Sequence, residues 1–487
     1  MWVLSRINFD RRKLSIFIVA VMIIGWSSLV ETAEYYVRTD GHDTSCNGSA
    51  DASVVFAPNC AKRSIRAGIA LATGGGDTVT IREGNYTSEG RIYTANNGGA
   101  GKPIIIQGYE GETVTLTSIR INHPYNRFQN LSLTNPGLSC DGSSAAIIMS
   151  EGNSTVSGMK VYGNNAIGNC SQGCPQGVLF ENRADITSVI ENSEFTSGYF
   201  HMVFIFHRPG TVRNNRIHDV IDVERIFDGI FTSNSVSDGT IIDGNEIFNY
   251  KMPGTVCPGN HPDIFQILNQ GGQSSAHNWL IINNYFHDCE ASLGLNEAAS
   301  RAMGWVFRNN VFANIRDAMA LLSPNTKVYN NTFFQVAVTQ GGVMDLGEFG
   351  VEIINNVIIG ANAIPTLGMI NIQGMSNAVI GNNFFSLPKG SNYANRDYRA
   401  YNMVSGSGSI NGGDPGFLAA YDNCVLFRCD FRIRADSPLR NAGRELTGFD
   451  TDKRGLIRPQ GSAWDIGAYQ FSPSDVLGAP RNLRIVY

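Results

Sequence analysis

Charged side chains are scarce in this chain. Asp, Glu, Lys and Arg make up 16% of its 487 residues, and the formal net charge is −5. No stretch gathers lysines and arginines into a basic stripe. Because proteins that bind nucleic acids use such a stripe to neutralise phosphates, the composition argues against a nucleic-acid partner.

The nine cysteines include no CxxC motif, and their spacings do not suggest a zinc site. They fit disulfides in an oxidising compartment instead. We expect the pairs Cys46/Cys60, Cys170/Cys174 and Cys424/Cys429, with Cys257/Cys289 linking an insertion to the next coil. Cys140 is left over, and an odd count leaves the connectivity open.

Helical periodicity is missing over most of the length, and a short phrase recurs in its place: apolar residues around an asparagine pair or a close variant. It appears as VRNNRIHD, IIDGNEIF, IINNYFHD, VFRNNVF, VYNNTFF, IINNVII and VIGNNFF. Its second asparagine falls at positions 215, 245, 284, 310, 331, 356 and 383, in steps of 30, 39, 26, 21, 25 and 27 residues. A basal period in the low twenties with longer excursions is typical of a solenoid.

Each asparagine pair is predicted to form one corner of a coil. Asparagine tolerates tight turns and the left-handed conformation, and the flanking apolar residues then point inward. Amides that recur once per coil can stack and hydrogen-bond along the column. Seven unrelated turns are the alternative, but hairpin turns would not repeat the same flanks at near-constant spacing. The sequence therefore predicts an all-β fold, a parallel β-helix of about ten coils.

Residues 1–33 are predicted to be a secretion signal peptide. Arg11, Arg12 and Lys13 precede an apolar run over residues 14–26, and small residues near Ala33 could form a cleavage site. Residues 14–30 are also just long enough to span a membrane, so an uncleaved N-terminal anchor is the alternative. In either case we expect the remainder to be secreted or otherwise extracytoplasmic.

A short amphipathic helix is predicted near the start of the mature chain. Ile65, Ile69 and Ala72 share one helical face, and the glycines at 74–76 end the helix. A solenoid needs its open end covered, and this helix is expected to cap it. The segment DTVTIREGNY then supplies the first coil strand.

Two groups of segments resemble a known family. YYVRTDGHD, the short helix and GGGDTVTIREGNY look like the N-terminal part of bacterial secreted right-handed parallel β-helix proteins, the pectate-lyase-like superfold. ADSPLRNAG, DTDKRGLIRP and DIGAYQF are similar to the C-terminal closing module of such proteins. The resemblance implies the fold over nearly the whole mature chain. It implies no single chemistry, because the superfold carries lyases, hydrolases, epimerases and adhesins.

These features divide the mature chain into four parts. We expect an N-terminal cap and first coil at 34–100, the β-helix at 101–400, the closing module at 401–472 and a tail without assigned function at 473–487. We also expect a monomer.

The longest step between asparagine pairs carries the main candidate site. It spans 39 residues from Asn245 to Asn284, and insertions on a solenoid commonly mark its binding face. The insertion contains HPDIFQ, in which alternation places His261, Asp263 and Phe265 on the outward face and Gln266 on the other. A histidine beside a carboxylate is a usable general base or acid. HPDxxQ also resembles a motif of secreted β-helix proteins thought to act on polysaccharides.

Neighbouring segments offer further groups. Asp228, in RIFDGIF, aligns with Asp263 if their strands stack in register, about 4.8 Å apart. Two carboxylates at that distance either raise one pKa or share a cation such as Ca²⁺. Lys251 and Arg225 could meet an acidic sugar.

Structural roles are the alternative for several of these residues. An Asp-Gly such as Asp228–Gly229 is often a turn, and His-Pro-Asp often begins a strand as a capping loop. His218 and His287 each follow an asparagine pair and precede an aspartate, which predicts turn residues at a repeated corner. His201 and His207, in YFHMVFIFH, are expected in the solenoid wall.

The sequence thus predicts an extracellular carbohydrate-active protein, lyase-like, that cleaves or modifies an acidic polysaccharide. His261 would be its base or acid and Asp263 the orienting carboxylate, while Asp228, Gln266, Lys251 and Arg225 would bind substrate or an ion. In β-elimination a base removes the proton next to a uronate carboxylate, and cations stabilise the enolate. The alternative is a non-catalytic cell-surface or matrix protein whose solenoid binds a glycan.

Overall fold

The computed structural model describes most of the chain between residues 32 and 477. The described ranges are 32–134, 145–163, 176–181, 187–196, 201–205, 208–220, 228–233, 236–250, 264–268, 275–296, 302–321, 324–336, 344–346, 349–360, 370–372, 378–386 and 408–477. The predicted signal or anchor therefore lies outside the described residues, as does the end of the tail. Within the described ranges, no helix combines the length and the apolar character needed to cross a membrane.

The chain winds as a right-handed parallel β-helix, as the sequence predicts. Strands of successive coils pair in parallel. A complete coil contributes first to sheet 1, then to sheet 2 and then to sheet 3, and where the asparagine phrase is present its corner lies between sheets 1 and 2. Sheet 1 contains Glu34–Val37, Thr78–Ile81, Ile104–Gly108, Asn126–Gln129, Thr155–Ser157, Ser188–Glu191, Gly210–Arg213, Ile241–Asp243, Leu280–Ile282, Val306–Arg308, Lys327–Tyr329, Glu352–Ile354 and Val379–Gly381.

Sheets 2 and 3 join through two long strands, Tyr285–Asn296 and Val311–Leu321, that bend from one sheet into the other. Sheet 2 also contains Gly84–Asn85, Val114–Leu116, Ser132–Thr134, Lys160–Tyr162, Glu194–Thr196, Arg216–Val220, Glu246–Tyr250, Thr332–Val336, Val357–Gly360, Phe384–Ser386 and Ile410–Asn411. Sheet 3 also contains Arg91–Tyr93, Ser118–Ile121, Ala145–Met149, Gln176–Phe180, His201–Ile205, Asp228–Ser233, Phe265–Leu268, Met344–Leu346 and Ile370–Ile372.

The number of coils exceeds the sequence estimate. Among the described residues sheet 1 has thirteen strands, against about ten predicted coils. The sequence count already included the coil that contains Ile104–Gly108. The excess lies at the two ends, because no sheet 3 strand follows Glu34–Val37 or Val379–Gly381 among the described residues.

The second asparagines form the predicted ladder. Asn310 is typical: its backbone N–H and its side-chain amide both donate to Asn331 Oδ1, at 2.9 and 3.0 Å, and the amide also donates to Ile281 O at 2.7 Å. The residue before each ladder asparagine is left-handed, as at Asn309 with φ of 57°. Each buried amide thus satisfies the backbone of a neighbouring coil.

Serines terminate the ladder at both ends. Ser193 N donates to Asn215 Oδ1 at 3.0 Å, and Ser193 Oγ accepts from Met159 N at 3.1 Å. At the other end Asn383 N donates to Ser409 Oγ at 3.2 Å. A hydroxyl can accept the same backbone bond where the amide column stops.

Inside the solenoid, apolar side chains stack coil on coil. Trp279 lies parallel to Trp305 at 5.0 Å between ring centroids, and Phe286, Phe312 and Phe333 stack at 5.1 and 4.6 Å. Burial of such rings is the main favourable contribution to the free energy of folding, since each ring removes a large apolar area from water. The stacks place the core along the helix axis.

The predicted N-terminal cap is confirmed as a helix at Ile65–Leu71. Ser64 Oγ accepts a hydrogen bond from Ala67 N at 3.2 Å, which satisfies one free N–H of the first turn. Ile65, Ile69 and Ala72 are buried in the main core. Short 3₁₀ segments, Val54–Phe56 and Thr87–Glu89, flank this region.

The C-terminal segment 408–477 packs against the last coils. It contains an antiparallel pair, Phe417–Ala419 with Asp430–Ile433, and the 3₁₀ helix Pro473–Leu477. Its apolar side chains form a second core with outward residues of sheet 2; this core contains Val311, Ala313, Phe334, Val357, Phe384, Phe417, Phe431, Ile433, Leu439, Ile466 and Phe471. The half-buried Lys453 side chain donates from Nζ to Asn283 O in the solenoid.

Two predicted disulfides are confirmed, Cys46–Cys60 and Cys424–Cys429. The predicted Cys257–Cys289 link is wrong, because Cys289 carries a free, buried thiol. Its Sγ donates within the coil to His287 O at 3.3 Å, and burial raises the pKa of the thiol to about 12. Cys140, Cys170, Cys174 and Cys257 lie outside the described residues.

Candidate functional site

The two strands that carry predicted site residues are neighbours in sheet 3. Ile230 pairs with Phe265 and Phe231 with Gln266, so Asp228–Ser233 and Phe265–Leu268 stack in parallel. Asp228 and Gln266 thus lie on adjacent strands, although their side chains are not among the described atoms. Arg225, Lys251, His261 and Asp263 lie outside the described residues.

Asp228 and Gly229 are not a turn. Both belong to the strand Asp228–Ser233, which excludes the Asp-Gly turn that the sequence offered as an alternative. A Cβ added at Gly229 would lie 2.8 Å from Ile264 O, so the glycine allows close approach of the neighbouring strand.

Phe265 is buried, which corrects the predicted outward face. Its side chain is 2% exposed and meets the Phe286 ring edge-on at 5.4 Å in the core. Ile264, one residue earlier, is also fully buried in the main core. Two successive inward residues break the two-residue alternation, so counting back from Phe265 does not give the face of Asp263 or His261.

The same break recurs at the start of other strands of sheet 3. Ala146 and Ile147 are both in the main core, whereas Ala145 forms a separate cluster with Ile148 and Leu179. Ile148 alternates with the inward Ile147, so this cluster lies on the outer face. The position before the inward pair is therefore an outer position.

The strand register pairs two chemically useful residues at the start of neighbouring strands of sheet 3. Ala145 pairs with Gln176, and His201 pairs with Asp228 on the next strand. Paired residues of adjacent parallel strands lie about 4.8 Å apart. The prediction that His201 belongs to the solenoid wall is confirmed, and the pairing with Asp228 is one that sequence separation concealed. His207 lies outside the described residues.

A row of register partners runs along the same sheet. Its successive members are Tyr93, Arg120, Ile148, Leu179, Phe204, Phe231 and Gln266. The first two line an open cleft near the N-terminal end, Ile148 and Leu179 are buried, and the last is the predicted site residue Gln266.

This cleft encloses about 380 Å³ and is lined by Tyr93, Arg120, Asn122, Ser150 and Glu151. Arg120 Nη2 donates to the Glu181 carboxylate at 2.5 Å and its Nε donates to Asn122 Oδ1 at 3.0 Å. Ser150 Oγ also donates to Glu181, at 2.8 Å. The cleft was missed in the sequence, since its residues come from separate coils without a motif.

A polar and aromatic stack on sheet 2 contains His218, Phe248 and His287. The Phe248 ring lies parallel to both imidazoles, at 4.7 and 4.9 Å between centroids. Both histidines are strand residues, so the predicted turn role is wrong; the left-handed residues are the following Asp219 and Asp288. Because side chains alternate between the two faces of a strand, both imidazoles lie on the outer face of sheet 2, beside the carboxylates of neighbouring strands and of the following aspartates.

Those carboxylates hold both imidazoles. His218 contacts Asp219 at 2.8 Å and Glu194 at 3.0 Å, and His287 contacts Asp288 at 2.7 Å and Glu246 at 3.4 Å. Burial alone would lower the pKa of His287, but its bonds to the two carboxylates outweigh it and the pKa is raised. Burial acts against ionisation of Glu246 as well, yet its bonds to His287 and Arg216 lower its pKa to about 2.

This stack does not form an open site. His287 is 3% exposed, and Asp288 accepts a hydrogen bond from Cys424 N of the C-terminal segment at 3.0 Å. Its groups are therefore engaged in attaching that segment. Among the described side chains, no three His, Cys, Asp or Glu residues gather as a metal site.

No protein-family model matches the chain, and no curated protein matches its sequence. Several solved structures are similar in fold. The pectate lyase Pel9A is 16% identical, with a TM-score of 0.48 over 92% of this chain and 98% of its own. A GH136 lacto-N-biosidase from Eubacterium ramulus is 12% identical, with a TM-score of 0.43 over 82% of this chain and 70% of its own.

A mannuronic acid specific polysaccharide family 6 lyase from human gut microbiota is 14% identical, with a TM-score of 0.46 over 64% of this chain and 76% of its own. At these identities the similarity concerns the course of the backbone and does not identify catalytic residues.

Proposed function

We propose that the chain is an extracellular carbohydrate-active protein that binds an acidic polysaccharide along the outer face of sheet 3 and cleaves it by a lyase-like reaction. The observation that carries this proposal is the register of that sheet. It pairs His201 with Asp228 and Phe231 with Gln266 on neighbouring strands. The long insertion between Asn245 and Asn284 leads into the same sheet.

The proposed chemistry rests on His261 as general base or acid. Asp263 would orient its imidazole, since a carboxylate partner fixes the tautomer and raises the basicity. Carried two positions back from the Ile230–Phe265 pair, the register matches Asp228 with Asp263. Gln266, Lys251 and Arg225 would bind the substrate, the two cations facing its uronate groups.

A cation such as Ca²⁺ held between Asp228 and Asp263 would supply charge stabilisation for an enolate. In such an elimination, the base takes the proton next to the uronate carboxylate, the carbon–oxygen bond to the leaving sugar breaks, and a double bond forms.

A non-catalytic, glycan-binding role is the second candidate, and the cleft at Arg120 favours it. There the Glu181 carboxylate accepts hydrogen bonds from both Arg120 and Ser150. A carboxylate engaged in this way suits fixed recognition better than proton transfer.

The test is to incubate the full chain with polygalacturonate, alginate and other uronate polysaccharides and to follow the absorbance of new double bonds. We expect His261→Gln to slow the reaction at least about 100-fold, the lower range for removal of a general base. His42→Gln, in the exposed N-terminal loop, is the matched control and should leave the rate unchanged.

The outcomes separate the two candidates. Absence of product from every substrate would exclude the lyase and leave binding. Product formed by His261→Gln at the wild-type rate would remove His261 from the mechanism. Loss of product on chelation, restored by Ca²⁺, would support a bridging cation.

A further inference from the structure

The cleft near the N-terminal end of sheet 3 has polar groups that the protein itself does not use. Among the residues that the structure describes, none contacts the Tyr93 hydroxyl, the Asn122 Nδ2 or the Glu151 carboxylate by a hydrogen bond or ion pair. All three belong to residues that line one cavity of about 380 Å³. A few polar groups placed around one cavity can fix the orientation of a ligand.

The strand ends hold these groups in fixed positions. Asn122 N donates to Thr94 Oγ1 at 2.9 Å, and Ser150 N donates to Ile121 O at 3.0 Å. Arg120 is held between Asn122 and Glu181. The cleft is therefore formed by the carboxyl ends of successive parallel strands, whose positions the sheet determines.

Charge in the cleft disfavours an acidic ligand. The Arg120 guanidinium is neutralised by Glu181 at 2.5 Å. Arg91 keeps its positive charge, since its bonds go to neutral acceptors, Ser118 Oγ at 3.3 Å and Ala145 O at 3.5 Å, but it is not among the residues that line the cleft. Glu151 adds a carboxylate without a cationic partner among the described residues. A uronate would meet this negative charge, whereas neutral hydroxyl groups can donate to it.

Tyr93 supplies the complementary apolar surface. It is 44% exposed in the row of register partners of sheet 3. An aromatic face beside a carboxylate and an amide can stack on the apolar face of a sugar ring while its hydroxyl groups are hydrogen-bonded. The cavity volume lies in the lower range of known ligand sites, roughly 300–1,000 Å³, which suits one or two sugar rings.

We propose that this cleft is a binding subsite for a neutral glycosyl unit. The proposal rests on the proposed function in taking the ligand to be a glycan, but it needs no catalytic role for His261. Tyr93 and Gln266 are six strands apart along their row of register partners, which corresponds to about 29 Å at the usual strand spacing of roughly 4.8 Å. One sugar unit cannot reach both, so the cleft would bind a different unit from the one that reacts.

Binding is tested by calorimetry on the full chain with hexasaccharides of xylan, cellulose and galactan, and with galacturonate and mannuronate hexasaccharides. We expect at least one neutral hexasaccharide to bind and Tyr93→Ala to weaken it by roughly tenfold, the upper range for one aromatic contact. Glu151→Gln should also weaken it, while Tyr93→Phe should retain most of the affinity because the ring remains.

Two exposed residues provide matched controls. Tyr162, on sheet 2, is 43% exposed, close to the value for Tyr93. Glu110 lies in an exposed turn. Tyr162→Ala and Glu110→Gln should bind the neutral hexasaccharide as the wild type does, and the thermal midpoint of every variant should stay near the wild-type value.

The proposal is overturned if no neutral hexasaccharide binds, if Tyr93→Ala binds as tightly as the wild type, or if the uronate hexasaccharides depend more strongly on Tyr93. Turnover of uronate polysaccharides, measured in parallel, keeps the two proposals apart. If His261→Gln loses turnover but still binds the neutral hexasaccharide, both the proposed function and the subsite are supported. If the wild type turns over uronate polysaccharides but binds no neutral hexasaccharide, only the subsite is excluded.

Discussion

At the scale of single residues, the asparagine amide is the most informative feature. One side chain serves three coils: Asn310 accepts from Asn284 N at 2.9 Å and donates to Ile281 O and Asn331 Oδ1. All of these groups are buried, so each bond prevents an unsatisfied polar group inside the solenoid. That need explains why an asparagine recurs at this corner of successive coils.

We predict that Asn310→Ala destabilises the protein by about 1–3 kcal/mol for each buried partner left unsatisfied. Asn310→Ser is the matched comparison, since Ser193 and Ser409 accept the equivalent backbone bond at the ends of the ladder. The serine variant should lose less stability in denaturant unfolding. Equal losses of unfolding free energy in the two variants would show that accepting the backbone N–H bond is not the stabilising role of the Asn310 amide.

At the scale of elements, outward residues of sheet 2 are used to attach the C-terminal segment. The His218, Phe248 and His287 rings stack across three strands, and the carboxylates beside them bind both imidazoles and the backbone of the segment. His287 is surrounded by Glu246, Asp288 and Tyr285, and Arg216 lies beyond Glu246. The imidazolium is therefore favoured, despite its burial.

This raised pKa predicts a pH-dependent contribution to stability. A folded-state pKa above the ordinary value of 6.5 means that protonation of His287 stabilises the fold fully below that value. The contribution is lost as the pH rises through the folded-state pKa. His287→Gln should therefore reduce the free energy of unfolding more at acidic pH than at alkaline pH.

Unfolding in denaturant across this pH range is the measurement. We expect a difference of about 1.5–3 kcal/mol at the acidic end, the range for hydrogen bonds to charged groups. A pH-independent effect of His287→Gln would mean that the ring acts by packing alone.

At the scale of the molecule, the solenoid has one end capped by a helix and one flank covered by the C-terminal segment. The helix Ile65–Leu71 closes the first coils. Segment 408–477 covers outward apolar residues of sheet 2, among them Val311, Phe334 and Phe384. On sheet 3, Tyr93 and Arg120 line the cleft near the N-terminal end.

We predict that a chain ending at residue 407 aggregates or binds a hydrophobic dye, because Val311, Ala313, Phe334, Val357 and Phe384 would lose their cover. A chain ending at residue 477 is the control and should melt as the full chain does. Size-exclusion chromatography and thermal unfolding are the measurements. A soluble 407-residue form of unchanged stability would contradict the covering role.

Sequence reasoning recovered the parts of the molecule that depend on local chemistry. The solenoid, the asparagine ladder, the capping helix and two disulfides were predictable, because each is specified by residue type at short spacing. The Cys257–Cys289 link, the turn role of His218 and His287, and the outward face of Phe265 were wrong. Each of those depended on where a side chain points after a bend, which neighbouring coils decide.

The amino-acid sequence by itself determined the register of this protein, since asparagine is the residue that can hold the left-handed corner and satisfy buried backbone groups at once. Only the tertiary structure decided which residues share the outer face of sheet 3. Packing in the core turns two successive residues inward at Ala146–Ile147 and at Ile264–Phe265, which simple alternation does not foresee. The stacking of coils pairs His201 with Asp228 along the sheet and gathers the residues of the cleft from separate coils.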